Sequence, residues 1–86
     1  MRSFLDLEED KSVTATEVVE VFEDYATSGA AISARTVISL IIRTNPSASD
    51  REKMKAIAQK GKESQSRRNF SGCANEYEKV LQHLNQ

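Results

Sequence analysis

The sequence predicts an all-α fold: a small three-helix bundle over about residues 33–85 with an additional N-terminal amphipathic helix over about 14–27. The chain has 86 residues, which is one small domain that buries only about 60 to 65% of the surface its unfolded form exposes. A composition of 38% hydrophobic and 29% charged residues is typical of a folded protein. Apolar residues recur at intervals of three and four between helix stop signals, which indicates amphipathic helices.

The first predicted helix begins at a capping box. Thr14 and Glu17 have the required spacing, and Val13 and Val18 flank the box as a hydrophobic staple. Gly29 follows the last apolar position and predicts the end of this helix.

Residues 1–12 show no apolar period, and we expect them to form a flexible arm. Residues 13–86 are then expected to form a single helical domain.

The second predicted helix starts after Ser33 and stops before Pro46. Its apolar residues cover more than half of its circumference, which predicts a helix at the centre of the core. The many β-branched residues would also suit a strand, but a lone strand has no neighbour with which to pair. The apolar residues are Val37, Ile38, Leu40, Ile41 and Ile42.

The third predicted helix starts near Asp50, because Ser49 and Glu52 form a second capping box, and continues to about Arg68. Gly61 and the polar run after it indicate a break or fraying beyond about residue 62. The apolar stripe is thin, so this helix needs a partner to be stable. The stripe consists of Met54, Ile57, Ala58 and Gly61.

The last predicted helix carries the clearest amphipathic pattern of the chain, with Ser71 or Asn69 as its N-cap. Its stripe consists of Phe70, Cys73, Ala74, Tyr77, Val80, Leu81 and Leu84.

The charges are distributed unevenly. Residues 1–31 carry eight acids and two bases, whereas residues 32–68 carry nine bases and three acids. This asymmetry predicts either that the two halves attract each other or that each meets an oppositely charged partner.

The sequence lacks the usual signatures of catalysis and metal binding. It has no Gly-rich phosphate loop, no nucleophile elbow and no HExxH motif. Cys73 and His83 are the only residues of their types, which predicts no disulfide, no metal site and no cofactor. No apolar run reaches membrane-spanning length and the first ten residues do not resemble a signal peptide, so we expect a non-secreted protein. Because the catalytic motifs are missing, we also expect that it is not an enzyme.

A nucleic-acid-binding regulator is the alternative function. The segment SARTVISLI is similar to the recognition helix of helix-turn-helix proteins, with Arg35 and Thr36 as the base readers, and the segment 35–68 is basic. The preceding acidic helix would repel phosphates, and no aromatic residue stands in 51–68 to stack on bases. Direct binding of nucleic acid is therefore the less favoured hypothesis.

Three segments together, ARTVISLIIRT, SASDREK and CANEYEKVLQHL, resemble the C-terminal X domain (nucleocapsid-binding domain) of paramyxovirus phosphoproteins, most nearly the morbillivirus type. The similarity covers residues 33–86, and residues 1–31 have no counterpart. The matching residues occur in the order and nearly the spacing of that family's three helices. They are Arg35, Val37, Ile38, Ile41, Ile42, Arg43, Thr44, Asp50, Arg51, Ala74, Asn75, Lys79, Gln82 and Leu84.

The resemblance implies a docking module without catalysis. Its partner would be the disordered C-terminal tail of the viral nucleoprotein, which folds into a helix between the second and third helices of the bundle. The resemblance also implies the viral polymerase large subunit as a partner, tethered to the nucleocapsid in the host cell cytoplasm. Carried over to this chain, the groove residues are Met54, Ile57, Ala58, Gly61, Tyr77, Val80, Leu81 and Leu84.

These groove residues have two interpretations, partner contact or ordinary core, and we favour partner contact for Met54, Ile57 and Val80. The basic groove helix predicts an acidic or neutral partner, and its small residues predict weak, about micromolar, affinity. About five more residues separate the last two helices than in the morbillivirus pattern. The acidic helix over 14–27 either packs on the bundle as a fourth helix or occupies the groove itself.

Overall fold

The computed structural model describes residues 2–86, and within that range every regular element is a helix. Met1 lies outside the described residues. The chain forms α1 (Phe4–Glu9), α2 (Ala15–Ser28), α3 (Ala34–Thr44), α4 (Ala48–Arg67) and α5 (Ser71–Leu84). The all-α prediction is confirmed.

The expectation of a flexible arm over residues 1–12 is wrong, because α1 forms within this segment. Ser3 caps α1: its hydroxyl accepts from the Asp6 amide, and the Asp6 carboxylate accepts from the Ser3 amide, both at 3.1 Å. Phe4 and Leu7, one turn apart, are 5% and 0% exposed. Residues 3–10 are therefore part of the packed structure.

Both predicted caps of α2 are present. The Thr14 hydroxyl accepts from the Glu17 amide at 3.2 Å, and the Glu17 carboxylate accepts from the Thr14 amide at 3.1 Å. Gly29 ends the helix with φ 75°, a left-handed conformation that glycine adopts without steric cost.

The β-branched segment is a helix, as predicted. The Ser33 hydroxyl accepts from the Thr36 amide at its start, and Asn45, with φ 47°, ends α3 immediately before Pro46. Packing of the apolar face therefore outweighs the strand propensity of these residues.

The start of α4 differs from the prediction by two residues. Ser47, not Ser49, is the N-cap, and its hydroxyl accepts from the Asp50 amide at 3.1 Å. Ser49 lies inside the first turn. α4 continues through Gly61 to Arg67, so the predicted end near Arg68 is confirmed and the predicted break beyond about residue 62 is wrong.

The start of α5 lacks the predicted side-chain cap. Phe70 occupies the N-cap position, Ser71 is the first helical residue, and Asn69 has φ 62° in the turn. The turn is closed instead by backbone bonds, because the amide of Phe70 donates to the carbonyl of Gln65 at 2.9 Å.

The helices pack around one cluster of buried side chains. The most extensive contact joins α4 to α5, and α2 lies against another side of α4. α3 contacts α5 and α2, and α1 lies on α2 and α3. The acidic α2 thus packs against the basic α4, although no ion pair among residues 2–86 joins these two helices. No described helix has the length and apolarity needed to cross a bilayer.

Candidate functional site

The predicted groove residues lie in the core. Met54, Tyr77 and Val80 are 0% exposed and Ile57 is 7% exposed. Of the eight residues only Leu81 is half-buried, and it packs against the core cluster. The expectation that Met54, Ile57 and Val80 are open to a partner is therefore wrong. The physical reason is that α4 packs against α5 on one side and against α2 on another. The few apolar side chains of α4 are therefore buried by helices of the same chain.

Tyr77 is the centre of this packing. Its ring stacks on Phe22 with centroids 5.9 Å apart, and its hydroxyl donates to the Ala30 carbonyl at 3.1 Å. Burial, with a smaller contribution from Cys73, raises the pKa of Tyr77 to about 12, so the phenol keeps the proton that this bond requires. Tyr77 is a structural residue that joins α5 to the connection between α2 and α3.

Two more side chains fix the same connection. The Gln65 amide nitrogen donates to the Gly29 carbonyl at 3.0 Å, and the Glu76 carboxylate accepts from the Ala34 amide at 3.0 Å. The bond from Ala34, and then the neighbouring Lys79, hold the pKa of Glu76 below its usual value. The α2–α3 connection is thus anchored to α4 and α5.

Two basic side chains of the segment proposed for nucleic-acid binding form bonds with other parts of the chain. The Arg43 guanidinium donates to the Leu7, Glu8 and Asp10 carbonyls at the end of α1, at 2.7 to 3.3 Å. Lys62 pairs with Glu78 at 2.8 Å, and this pairing lowers the pKa of Glu78.

The two proposed base readers are not equivalent in the structure. Arg35 is exposed, whereas Thr36 is half-buried beside α1.

A concavity of about 320 Å³ beside α1 is the strongest candidate for a docking site. Its floor contains aromatic and aliphatic side chains: the Phe4 and Tyr25 rings lie 4.6 Å apart, and the Phe4 amide donates to the Tyr25 hydroxyl at 3.4 Å. Leu5 lies at its rim with 63% of its surface exposed. The lining residues are Ser3, Phe4, Leu5, Glu8, Tyr25, Ala31, Ile32, Ser33 and Thr36.

This site was not predicted from the sequence, because three of its nine lining residues lie on α1 and a fourth, Ser3, caps that helix. One local signal was present: Ser3 and Asp6 have capping-box spacing, and Phe4 and Leu7 are one helical turn apart. Three apolar residues in one short segment, Phe4, Leu5 and Leu7, are too few to define a period, and so the segment showed no helical pattern.

Two other hollows are either more polar or smaller than the concavity beside α1. The hollow between α4 and α5, of about 460 Å³, is lined mainly by polar side chains, among them Lys62 and Glu78. A hollow of about 150 Å³ between α2 and α4 contains the edge of Ile57. Ile42 and Phe70 are also exposed, but neither lines the concavity beside α1.

Among residues 2–86, no three His, Cys, Asp or Glu side chains are grouped so as to hold a metal ion. Cys73 and His83 are both half-buried on α5. Comparison of the chain with protein-family models, curated proteins and solved structures finds no match.

Proposed function

We propose that this chain is a non-enzymatic protein-binding module that docks a helix-forming segment of another protein in the concavity beside α1. The observation that carries the proposal is the exposure of Leu5, whose large apolar side chain is 63% exposed. It lines the same hollow as Phe4, Tyr25 and Ile32. A concave, mostly apolar site with a few polar groups at its edge is the usual form of a binding site.

The expected affinity is weak. Covering one leucine side chain contributes about 1.5 to 3 kcal/mol, and a hollow of this size accepts few further side chains. Association also costs the entropy of ordering the partner. We therefore expect the complex to form transiently, as suits a module that repeatedly binds and releases its partner.

The resemblance to paramyxovirus X domains supplies the finer part of the proposal. In this reading α3, α4 and α5 are the X-domain-like three-helix unit, and α1 and α2 are additions to it. The partner is then the C-terminal tail of a viral nucleoprotein, and docking tethers the polymerase large subunit to the nucleocapsid in the host cytoplasm. Because the predicted apolar groove residues pack in the core and the hollow between α4 and α5 is lined mainly by polar side chains, the tail is proposed to bind beside α1 instead.

The test is a titration of the full chain with fluorescent peptides from the C-terminal tails of paramyxovirus nucleoproteins. Leu5→Asp should weaken binding about tenfold or more, since it removes about 1.4 kcal/mol or more of apolar contact. Ile42→Asp is the matched control, because Ile42 is 66% exposed on α3 and lies outside the concavity.

Equal loss of binding in both variants would contradict docking at the concavity. A titration with single-stranded RNA or duplex DNA tests the alternative function. Binding that falls steeply with added salt, and that Leu5→Asp does not affect, would favour nucleic acid as the ligand.

A further inference from the structure

The turn between α4 and α5 carries an exposed aromatic ring next to two arginines. Phe70 is 54% exposed, and Arg67 and Arg68 are exposed shortly before it. Among residues 2–86, no hydrogen bond or ion pair engages either guanidinium. None of these three residues lines the concavity beside α1, so the turn is a surface separate from the proposed docking site.

The structure joins this turn to the α2–α3 connection. The Gln65 amide nitrogen donates to the Gly29 carbonyl at 3.0 Å, and the Arg68 guanidinium lies against Gly29, where it would overlap an added Cβ atom. The two segments that meet here, 27–35 and 64–75, contain no acid. Their bases are all exposed, and they are Arg35, Arg67 and Arg68. This end of the bundle is therefore basic, although the whole chain has a net charge of −1.

The acids that flank these two segments do not pair with the arginines. The Glu63 carboxylate accepts a hydrogen bond from a glutamine one turn earlier on α4. Glu76 pairs with Lys79 at 2.9 Å. Asp24, the acid nearest to residues 27–35 on their N-terminal side, lies more than one turn before the end of α2. The positive charge of the two arginines in the turn is thus left available to a ligand.

An aromatic ring beside arginines offers two complementary contacts to single-stranded nucleic acid. Unpaired bases stack on an aromatic ring whatever their sequence, and guanidinium groups pair with phosphates. The nucleic-acid hypothesis drawn from the sequence lacked such a ring, because residues 51–68 contain no aromatic residue. Phe70 stands two residues beyond that basic segment and supplies the ring.

We propose that the α4–α5 turn binds single-stranded RNA or DNA, with one base stacked on Phe70 and the adjoining phosphates held by Arg67 and Arg68. Arg35 adds positive potential at the same end of the bundle. Few phosphates are contacted, so the binding is weak, depends on salt and has little sequence preference.

The first experiment measures the fluorescence anisotropy of labelled oligouridine and oligothymidine with the full chain at increasing salt. Two or three phosphate contacts predict that log Kd rises with log salt with a slope of about 1.4 to 2.1. Duplex DNA of the same length should bind more weakly, because its paired bases cannot stack on Phe70. No binding at low salt, or duplex binding as tight as that of the single strands, would overturn the inference.

The second experiment removes the ring. Phe70→Ala should weaken oligouridine binding about fivefold or more, whereas Phe70→Tyr, which keeps a ring, should stay within about twofold of the native chain. Ile42→Ala is the matched control, because Ile42 is also a large exposed apolar residue but lies on α3. Circular dichroism checks that each variant is folded. An unchanged affinity in Phe70→Ala, or an equal loss in Ile42→Ala, would overturn the inference.

The third experiment removes the charge. Arg67→Gln combined with Arg68→Gln should lower the salt slope by about 1.4, and Arg67→Gln alone by about half as much. Lys11→Gln combined with Lys53→Gln removes the same charge at two exposed positions outside the turn and should leave the slope unchanged. Equal effects in the two double variants would overturn the inference, and so would tighter binding of oligoglutamate than of oligouridine. These outcomes are independent of the peptide titration that tests docking beside α1.

Discussion

The ring of Tyr77 on α5 lies directly over Gly61 on α4, and a Cβ atom at position 61 would overlap the ring carbons Cδ1 and Cε1. The glycine that the sequence pattern marked as a helix breaker is therefore a position at which α4 and α5 are in close contact. The hydroxyl of the same tyrosine holds the α2–α3 connection through Ala30. Tyr77 thus connects α4, α5 and the α2–α3 connection.

Gly61→Ala should destabilise the protein although alanine favours helices. Overpacking costs about 1 to 3 kcal/mol, and the overlap with the Tyr77 ring puts this site at the upper end of that range, above the gain of about 1 kcal/mol in helix propensity. Gly72→Ala is the matched control, because a Cβ at Gly72 meets no atom within 4 Å. It should be neutral or stabilising by up to about 1 kcal/mol. Urea denaturation measures both, and a Gly61→Ala variant as stable as the native chain would contradict the close packing.

Ile57→Asp should unfold the protein rather than selectively abolish binding. Ile57 is 7% exposed, so the substitution removes apolar packing and buries a charge, at a cost of about 3 kcal/mol or more. Ala56→Asp, at the exposed neighbouring position, should cost only about 0.5 kcal/mol. Thermal melting followed by circular dichroism separates the two. A folded Ile57→Asp protein would show that this side chain is not part of the core.

Arg43→Gln should loosen α1 without unfolding the rest of the chain. The substitution removes the guanidinium that satisfies carbonyls of Leu7, Glu8 and Asp10. Amide exchange in α1 should accelerate about fivefold or more, equivalent to about 1 kcal/mol, while exchange in α4 changes little. Arg35→Gln is the control on the same helix. Uniform acceleration across all five helices would contradict a local role.

Acid should weaken the attachment of α3 to α5 through Glu76. Its pKa lies below the usual 4.5 because the Ala34 amide and Lys79 favour the carboxylate. The stabilisation is therefore full above about pH 4.5 and is lost as the pH falls through the lower folded-state pKa. Glu76→Gln should be less stable than the native chain at pH 7, and the difference should shrink in acid. Urea midpoints across pH measure this, with Glu20→Gln as control, and a constant difference would contradict the linkage.

Local signals in the sequence were sufficient to predict where α2 begins. Thr14 and Glu17 cap α2 through neighbouring groups only, so their pattern predicted the geometry. At the start of α4 the local rule was ambiguous, because Ser47 and Ser49 each precede an acid by three residues. The chain uses Ser47, and a choice between two equivalent local patterns depends on packing elsewhere.

The candidate site depended on contacts that no local pattern contains. Phe4 is buried because its ring packs against Phe22 and Tyr25 of α2. Ile57 is buried because α2 packs against α4. A thin apolar stripe such as that of α4 has the same appearance whether a foreign helix or the chain's own helix covers it. The sequence therefore predicted that α4 needs a partner, and the structure identifies α2 and α5 as the helices that cover it.

Chemical-shift mapping of the isotope-labelled full chain with a bound peptide tests the central claim most directly. Docking beside α1 predicts that the largest changes occur at Leu5, Tyr25 and Ile32, with little change at Met54 and Val80. The largest changes at Met54 and Val80 instead, or on the exposed lysines of α4, would contradict docking at the concavity.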